Sequence, residues 1–167
     1  MPAQDMAPSS PDSHRADVAA REKDLKAARD LGDELIVGSR LVALGKAHLW
    51  PGEEKLALDC FNQALTTMRA AGGDQEGEAA ALQGIGEVYI RLGEMQKALT
   101  NLNQALALWR AAHDPYDEVT PLNEIGDVYA KMGMQEKASE FHARAKHNFR
   151  GRGRSRRAQV RDEIGDC

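Results

Sequence analysis

Apolar residues recur along most of this chain with the spacing of an α-helix. Within residues 82–110, Leu82, Ile85 and Tyr89 are three and four positions apart, so they share one helical face. The stretch LQGIGEVYIRLGEMQKALTNLNQALALWR therefore predicts two amphipathic helices that are separated by a tight turn at Gly93. Glycine suits the positive φ that such a turn requires.

The same pair of helices is predicted once before this stretch and once after it. Aligned on a glycine of the first helix (Gly45, Gly86 and Gly126), the copies are 41 and 40 residues apart. Each copy continues with a second glycine, an alanine, a larger residue and another alanine at fixed offsets. These positions are Gly52, Ala57, Phe61 and Ala64, then Gly93, Ala98, Leu102 and Ala105, then Gly133, Ala138, His142 and Ala145. A repeat of this length indicates a helical solenoid.

These offsets resemble those of the tetratricopeptide repeat, and the middle copy matches that pattern at nearly every position. The period of about 40 residues resembles the long-period branch, which includes kinesin light chains, spindle-orientation adaptors and bacterial signalling arrays. The resemblance covers about residues 34–149. It implies an all-α, right-handed superhelix of three helix-turn-helix repeats.

A capping helix is expected before the repeats, because the end of a solenoid otherwise exposes its apolar face. The predicted units are a cap at residues 15–31 and repeats at about 34–73, 74–113 and 114–149. The predicted helices of the repeats are 34–49, 54–71, 74–92, 95–112 and 135–149, together with the first helix of the third repeat. The start of that helix has two alternatives, because Asp114-Pro115 is a good start signal but Pro121 would then kink the helix.

Both ends of the chain differ from the repeats in composition. Residues 1–14 are rich in Pro, Ser, Ala and Asp, which predicts disorder. Residues 150–167 carry six arginines, and Gly151 and Gly153 are expected to break the preceding helix. The arginines can form a solvated tail, a patch for an acidic partner or nucleic acid, or a localisation signal.

In the resembled family, the side chains of the first helices that point away from the core line a concave groove that binds a peptide. The matching positions here are Ser39, Val42, Lys46, Leu49 and Trp50, then Gln83, Glu87, Ile90 and Arg91, then Thr120, Asn123, Asp127, Ala130 and Lys131. This implies an apolar anchor near Val42, Leu49 and Trp50, and charged contacts in the other repeats. The alternative is a solvated polar face, with Trp50 packed at a helix end. Val42 and Lys46 depart from the family's clamp for chaperone tails, so that ligand is not expected.

Composition and motifs narrow the class of function. A net charge of −4 argues against nucleic-acid binding by the whole chain. The sequence has no phosphate-binding glycine loop, no HExxH and no CxxC, so no enzyme, cofactor or metal is predicted. No apolar run approaches the ~20 residues of a membrane span. Cys60 and Cys167 give no disulfide framework, and a cytoplasmic location is expected.

The sequence therefore predicts a non-catalytic adaptor or scaffold that binds a segment of a partner protein, whose identity it leaves open. One alternative is a self-assembling module in which end repeats stack between chains. Another is a protein that associates with nucleic acid or an acidic partner through its arginine tail.

Overall fold

The protein forms a row of antiparallel helices. The structure is a computed structural model that describes residues 11–50, 52–72, 74–111 and 117–165, with only the backbone beyond residue 150. Within those ranges it contains seven α-helices and no strand, which confirms the all-α prediction. The helices are α1 (Pro11–Leu31), α2 (Glu34–Leu49), α3 (Glu54–Ala71), α4 (Gln75–Arg91), α5 (Met95–Ala111), α6 (Val119–Lys131) and α7 (Gln135–Gly165).

Each helix packs mainly against its neighbours in the chain. The pairs α2–α3, α4–α5 and α6–α7 form the three hairpins, and the second helix of each hairpin packs on the first helix of the next. The α1 helix packs on α2, with Leu25 and Ala28 buried. Two apolar clusters result, and Tyr89 of α4 borders both. The core is thus shared between successive hairpins, as in a solenoid.

At each of the three aligned glycines the two helices of a hairpin approach closely. A side chain at Gly45 would begin 2.8 Å from the Phe61 ring, and one at Gly86 would begin 2.7 Å from Leu102. Gly126 lies in the same way against the ring of His142. All three glycines therefore contact the second helix of their own repeat, which is the arrangement that the spacing predicts.

The turn inside each hairpin follows one design, illustrated by Gly93. Its φ of 76° lies in the left-handed region that favours glycine. The Glu94 N–H donates to the Tyr89 carbonyl oxygen at 2.9 Å, and Met134 repeats this bond to Tyr129 at 2.9 Å. These bonds satisfy carbonyl groups at the end of the first helix and bring the chain back as an antiparallel partner.

Side-chain caps set the starts of two first helices. Asp33 accepts hydrogen bonds from the backbone of Leu35 at 3.0 Å and Ile36 at 3.1 Å. Asp74 accepts one from Gly77 at 2.9 Å. Aspartate at these positions satisfies N–H groups that have no partner within the helix. The predicted starts of α2 and α4 are confirmed within a residue.

Two predicted boundaries need correction near the start of a helix. The α1 helix begins at Pro11, a favourable first residue, rather than at residue 15, whereas residues 1–10 lie outside the described ranges. The α6 helix begins at Val119, so Pro121 lies in the first turn, where its missing N–H costs nothing. The alternative of a kinked helix is therefore wrong, and the proposed start signal at residues 114–115 is outside the described ranges.

The largest correction concerns the end of the chain. The α7 helix continues to Gly165, so Gly151 and Gly153 do not break it. A glycine costs a helix only about 1 kcal/mol relative to alanine. Extending an existing helix by one residue is far easier than starting a new one, and the arginines that flank the glycines favour a helix. The arginine-rich segment is thus a continuation of the last repeat helix.

Candidate peptide-binding surface

The first helices of the three hairpins lie side by side, α2 against α4 and α4 against α6. We call the face that they present together the inner surface. Most residues predicted to line a groove are accessible on it. Ser39, Lys46, Trp50, Arg91, Thr120, Asn123, Asp127 and Lys131 are exposed, and Gln83, Glu87, Ile90 and Ala130 are half-buried.

The predicted apolar anchor in the first repeat is wrong in two of its three residues. Val42 is 7% exposed and Leu49 is 4% exposed, and both belong to the core cluster that includes Ile85 of α4. Their offset on α2 points them away from their own hairpin, but the next repeat covers that side. Trp50 alone remains accessible, at 61% exposure.

Arg91 joins the first two repeats at one edge of the inner surface. Its Nη1 donates to the backbone oxygen of Leu49 at 3.0 Å, and its Nη2 donates to Glu87 at 3.2 Å. The guanidinium therefore adds a second hydrogen bond to the last carbonyl group of α2, which also accepts from the Gly52 N–H at 3.3 Å. Arg91 therefore links the first two repeats, although its side chain is also exposed on the inner surface.

Glu124 is the residue of this surface that the sequence analysis missed. Gln83 Nε2 of α4 donates to Glu124 Oε1 of α6 at 3.1 Å, a bond between the second and third repeats. The other carboxylate oxygen is buried and has no hydrogen-bond partner. Burial raises the pKa of Glu124 from 4.5 to about 7, the Gln83 bond lowers it, and nearby Glu87 raises it. Among the described residues, Glu124 shows the largest resolved pKa shift toward neutrality.

A departure from the repeat could have drawn attention to Glu124. The matching positions carry Ala43 in the first repeat and Gly84 in the second. Gly84 is small because the Phe61 ring of the preceding repeat lies directly against it. A glutamate at a position that holds a small residue in the other repeats therefore indicates that the junction between the second and third repeats is packed differently from the preceding one.

The far end of the inner surface carries a second polar pair. His142 Nε2 of α7 lies 3.1 Å from Asp127 Oδ1 of α6. Asp127 remains exposed beside Asn123 and Lys131, so this end is polar and charged. A binding role for these charged residues stays a prediction.

An open cleft lies beside Trp50 at the other end, between α1 and the last turn of α2. His14, Asp17, Arg21 and Lys46 line it together with the indole ring. The inner surface is therefore polar along most of its length, with one accessible aromatic ring at one end.

Membrane-spanning and metal-binding features can be assessed within the described part of the chain. None of its helices combines the length and apolar content that a membrane crossing requires. Among the same residues, no group of three or more His, Cys, Asp or Glu side chains is placed to hold a metal ion.

Helical hairpins in a row, with small residues at the contacts and a shared core, define an all-α helical solenoid. The tetratricopeptide repeat model matches residues 39–107 and, in a second register, residues 77–147. The chain therefore belongs to the tetratricopeptide repeat family, whose fold generally mediates protein–protein interaction and serves as a non-catalytic scaffold. No curated protein matches the sequence at a significant level.

Solved structures support the fold. BtubC (BKLC) from P. vanneervenii has a TM-score of 0.71 at 23% identity, over 81% of this chain and 56% of that one. This chain therefore spans little more than half the length of BtubC. The TPR domain of Arabidopsis FLU gives 0.63 at 24% identity, over 71% and 96% of the two chains. A putative kinesin light chain from Podospora anserina gives 0.65 at 15%, over 92% and 85%.

Proposed function

We propose that this chain is a non-catalytic adaptor that binds an extended segment of another protein on its inner surface. The observation that carries the proposal is the continuous row of accessible polar side chains on α2, α4 and α6. Packing between the hairpins holds these helices in place before any ligand arrives. A preformed surface lowers the ordering cost that binding must overcome.

The composition of the inner surface favours a polar ligand with one aromatic or apolar side chain. Lys46, Asp127 and Lys131 offer both signs of charge, which suits a segment of mixed charge. Trp50 supplies the one large apolar contact at the end of the row, since Val42 and Leu49 are buried. Aromatic side chains of this kind often dominate the energy of an interface.

A binding experiment with matched variants tests the proposal. Random 12-residue peptides displayed on phage are selected against the wild-type chain, and the winners are titrated by fluorescence anisotropy. The groove variant is Asn123→Glu with Lys131→Glu on α6. The control is Asn62→Glu with Lys55→Glu on α3, which makes the same change at exposed positions of a second helix.

We expect the groove variant to weaken the selected peptides at least tenfold and the control to leave their affinity unchanged. Equal binding by all three proteins, or equal loss in both variants, would place the site elsewhere. Failure to select any peptide would count against the adaptor proposal itself.

The location and the remaining alternatives stay predictions from the sequence. These are a cytoplasmic location, self-assembly, and association of the arginine-rich segment with nucleic acid or an acidic partner. The last is tested by titrating a fluorescent oligonucleotide at low salt. Binding that is lost on truncation after Phe149 would support it, and no binding at low salt would remove it.

A further inference from the structure

Among the described residues, a polar contact of unusual character joins the second and third repeats on the inner surface. Gln83 donates to one oxygen of Glu124 across the junction, and the other oxygen is buried without a partner. A buried carboxylate oxygen that lacks a donor is unfavourable when it carries charge, because it has lost its water. The charge on Glu124 therefore bears directly on how well these repeats pack.

The charged groups around Glu124 come from three helices. Glu87 of α4 and Asp127 of α6 oppose its ionisation, and Lys46 of α2 favours it. Glu87 is partly compensated by Arg91, and Asp127 Oδ1 lies 3.1 Å from His142 Nε2 of α7. The charges of α5 are paired elsewhere, Lys97 with Glu94 and Arg110 with Glu118.

We propose that the junction between the second and third repeats is a proton-responsive joint, closed when Glu124 is neutral and loosened when Glu124 is ionised. The third repeat would then change its position relative to the second, and the shape of the inner surface would change with it. The contrast with the preceding junction supports this reading. There the small residue Gly84 lies against the ring of Phe61, and the contact carries no charge.

The direction of the effect follows from the pKa. In the folded chain the pKa of Glu124 is raised from 4.5 to about 7, chiefly by burial. The folded state therefore binds more protons than the unfolded state between these two values. The contribution of Glu124 to the free energy of unfolding is therefore most favourable below the unfolded pKa and falls as the pH rises toward the folded pKa.

Titration of the side chain is the first test. In uniformly ¹³C-labelled protein, the Glu124 Cδ resonance is assigned from its loss in Glu124→Gln and followed from pH 4 to pH 9 in the wild type. We expect a midpoint near 7, and a higher midpoint in Lys46→Gln, because the lysine stabilises the ionised form. A midpoint near 4.5, the ordinary value, would overturn the proposal.

Stability and geometry provide the second test. We expect the urea midpoint of the wild type to fall between pH 5 and pH 7.5 relative to that of Glu124→Gln. The control Glu140→Gln, an exposed glutamate on α7, should keep the wild-type trend. Equal trends in the wild type and Glu124→Gln would contradict the proposal, and so would loss of the trend in the control.

The opening itself is measured between spin labels at Gln96→Cys on α5 and Ser139→Cys on α7, both exposed positions, after Cys60 and Cys167 are replaced by serine. By double electron–electron resonance, the distance distribution should broaden or shift from pH 5.5 to pH 8, and Glu124→Gln should abolish this change. Identical distributions at both pH values would show that the joint does not move. None of these measurements uses a peptide, so the result is independent of the proposed binding function.

Discussion

Phe61 shows how a single side chain couples two repeats. Its ring is fully buried between Gly45 of its own hairpin and Gly84 of the next. Neither glycine is present for its backbone freedom, because both lie inside helices. They are there because the ring occupies the space that a β-carbon would need.

A methyl group at Gly84 should therefore destabilise the protein. Alanine normally favours a helix over glycine by up to about 1 kcal/mol, but overpacking a confined core site costs about 1–3 kcal/mol. We expect Gly84→Ala to lower the free energy of unfolding, measured by urea titration with circular dichroism. The exposed control Gln104→Ala on α5 should stay within about 0.5 kcal/mol of the wild type. A Gly84→Ala variant as stable as the wild type would mean that Phe61 has room to move.

For each first helix, the residue pattern predicted the face that packs within the hairpin better than the face that was expected to be exposed. Gly45, Gly86 and Gly126 lie where the spacing places them, because their environment is set within one hairpin. The exposure of Val42 and Leu49 depends on the neighbouring repeat, and the angular position on one helix cannot report that coverage. Glu124 was overlooked for the same reason, since its partner Gln83 is 41 residues away.

Among the helices, α7 differs most from expectation. At 31 residues it is far longer than the 13-residue α6 with which it pairs, so its second half extends past the hairpin. Helix ends that coincide with caps or turn glycines, such as those of α2 and α3, were predictable. The continuation through Gly151 and Gly153 was not, because a modest local cost does not decide whether an existing helix stops.

Substitution of these glycines offers a direct measurement of the extension. The α7 helix predicts helical ¹³Cα secondary shifts through residues 151–165, and Gly151→Ala with Gly153→Ala should increase them because alanine favours helix. Residues 135–149 serve as the internal control, and their shifts should not change. Random-coil shifts for 151–165 in the wild type would restore the predicted helix break.

At the scale of the whole molecule, the face of α7 that would contact a further repeat is polar. Ser139, His142 and Lys146 stand on α7 where α5 carries Leu99, Leu102 and Leu106. Those leucines are buried, whereas Ser139 and Lys146 are exposed. Polar groups at these positions are costly to cover with another repeat, so they disfavour stacking on this end.

Replacing the polar residues of this α7 face by leucine should allow two copies of the chain to associate through it. We expect Ser139→Leu with Lys146→Leu to give a mass that rises with concentration in multi-angle light scattering, and the wild type to give a constant mass. Asp59→Leu with Thr66→Leu, the same spacing on exposed positions of α3, controls for added apolar area. Association of the wild type itself would favour the self-assembly alternative.

The ring of Phe61 between two glycines also implies that the order of the units is not free. If the third unit were transplanted into the place of the second, Glu124 would take the position of Gly84 and meet an aromatic ring instead of a glutamine. A chimera of that kind should fail to fold, although every unit in it is native. The three units share one internal pattern, but their joining surfaces differ enough to make each neighbour specific.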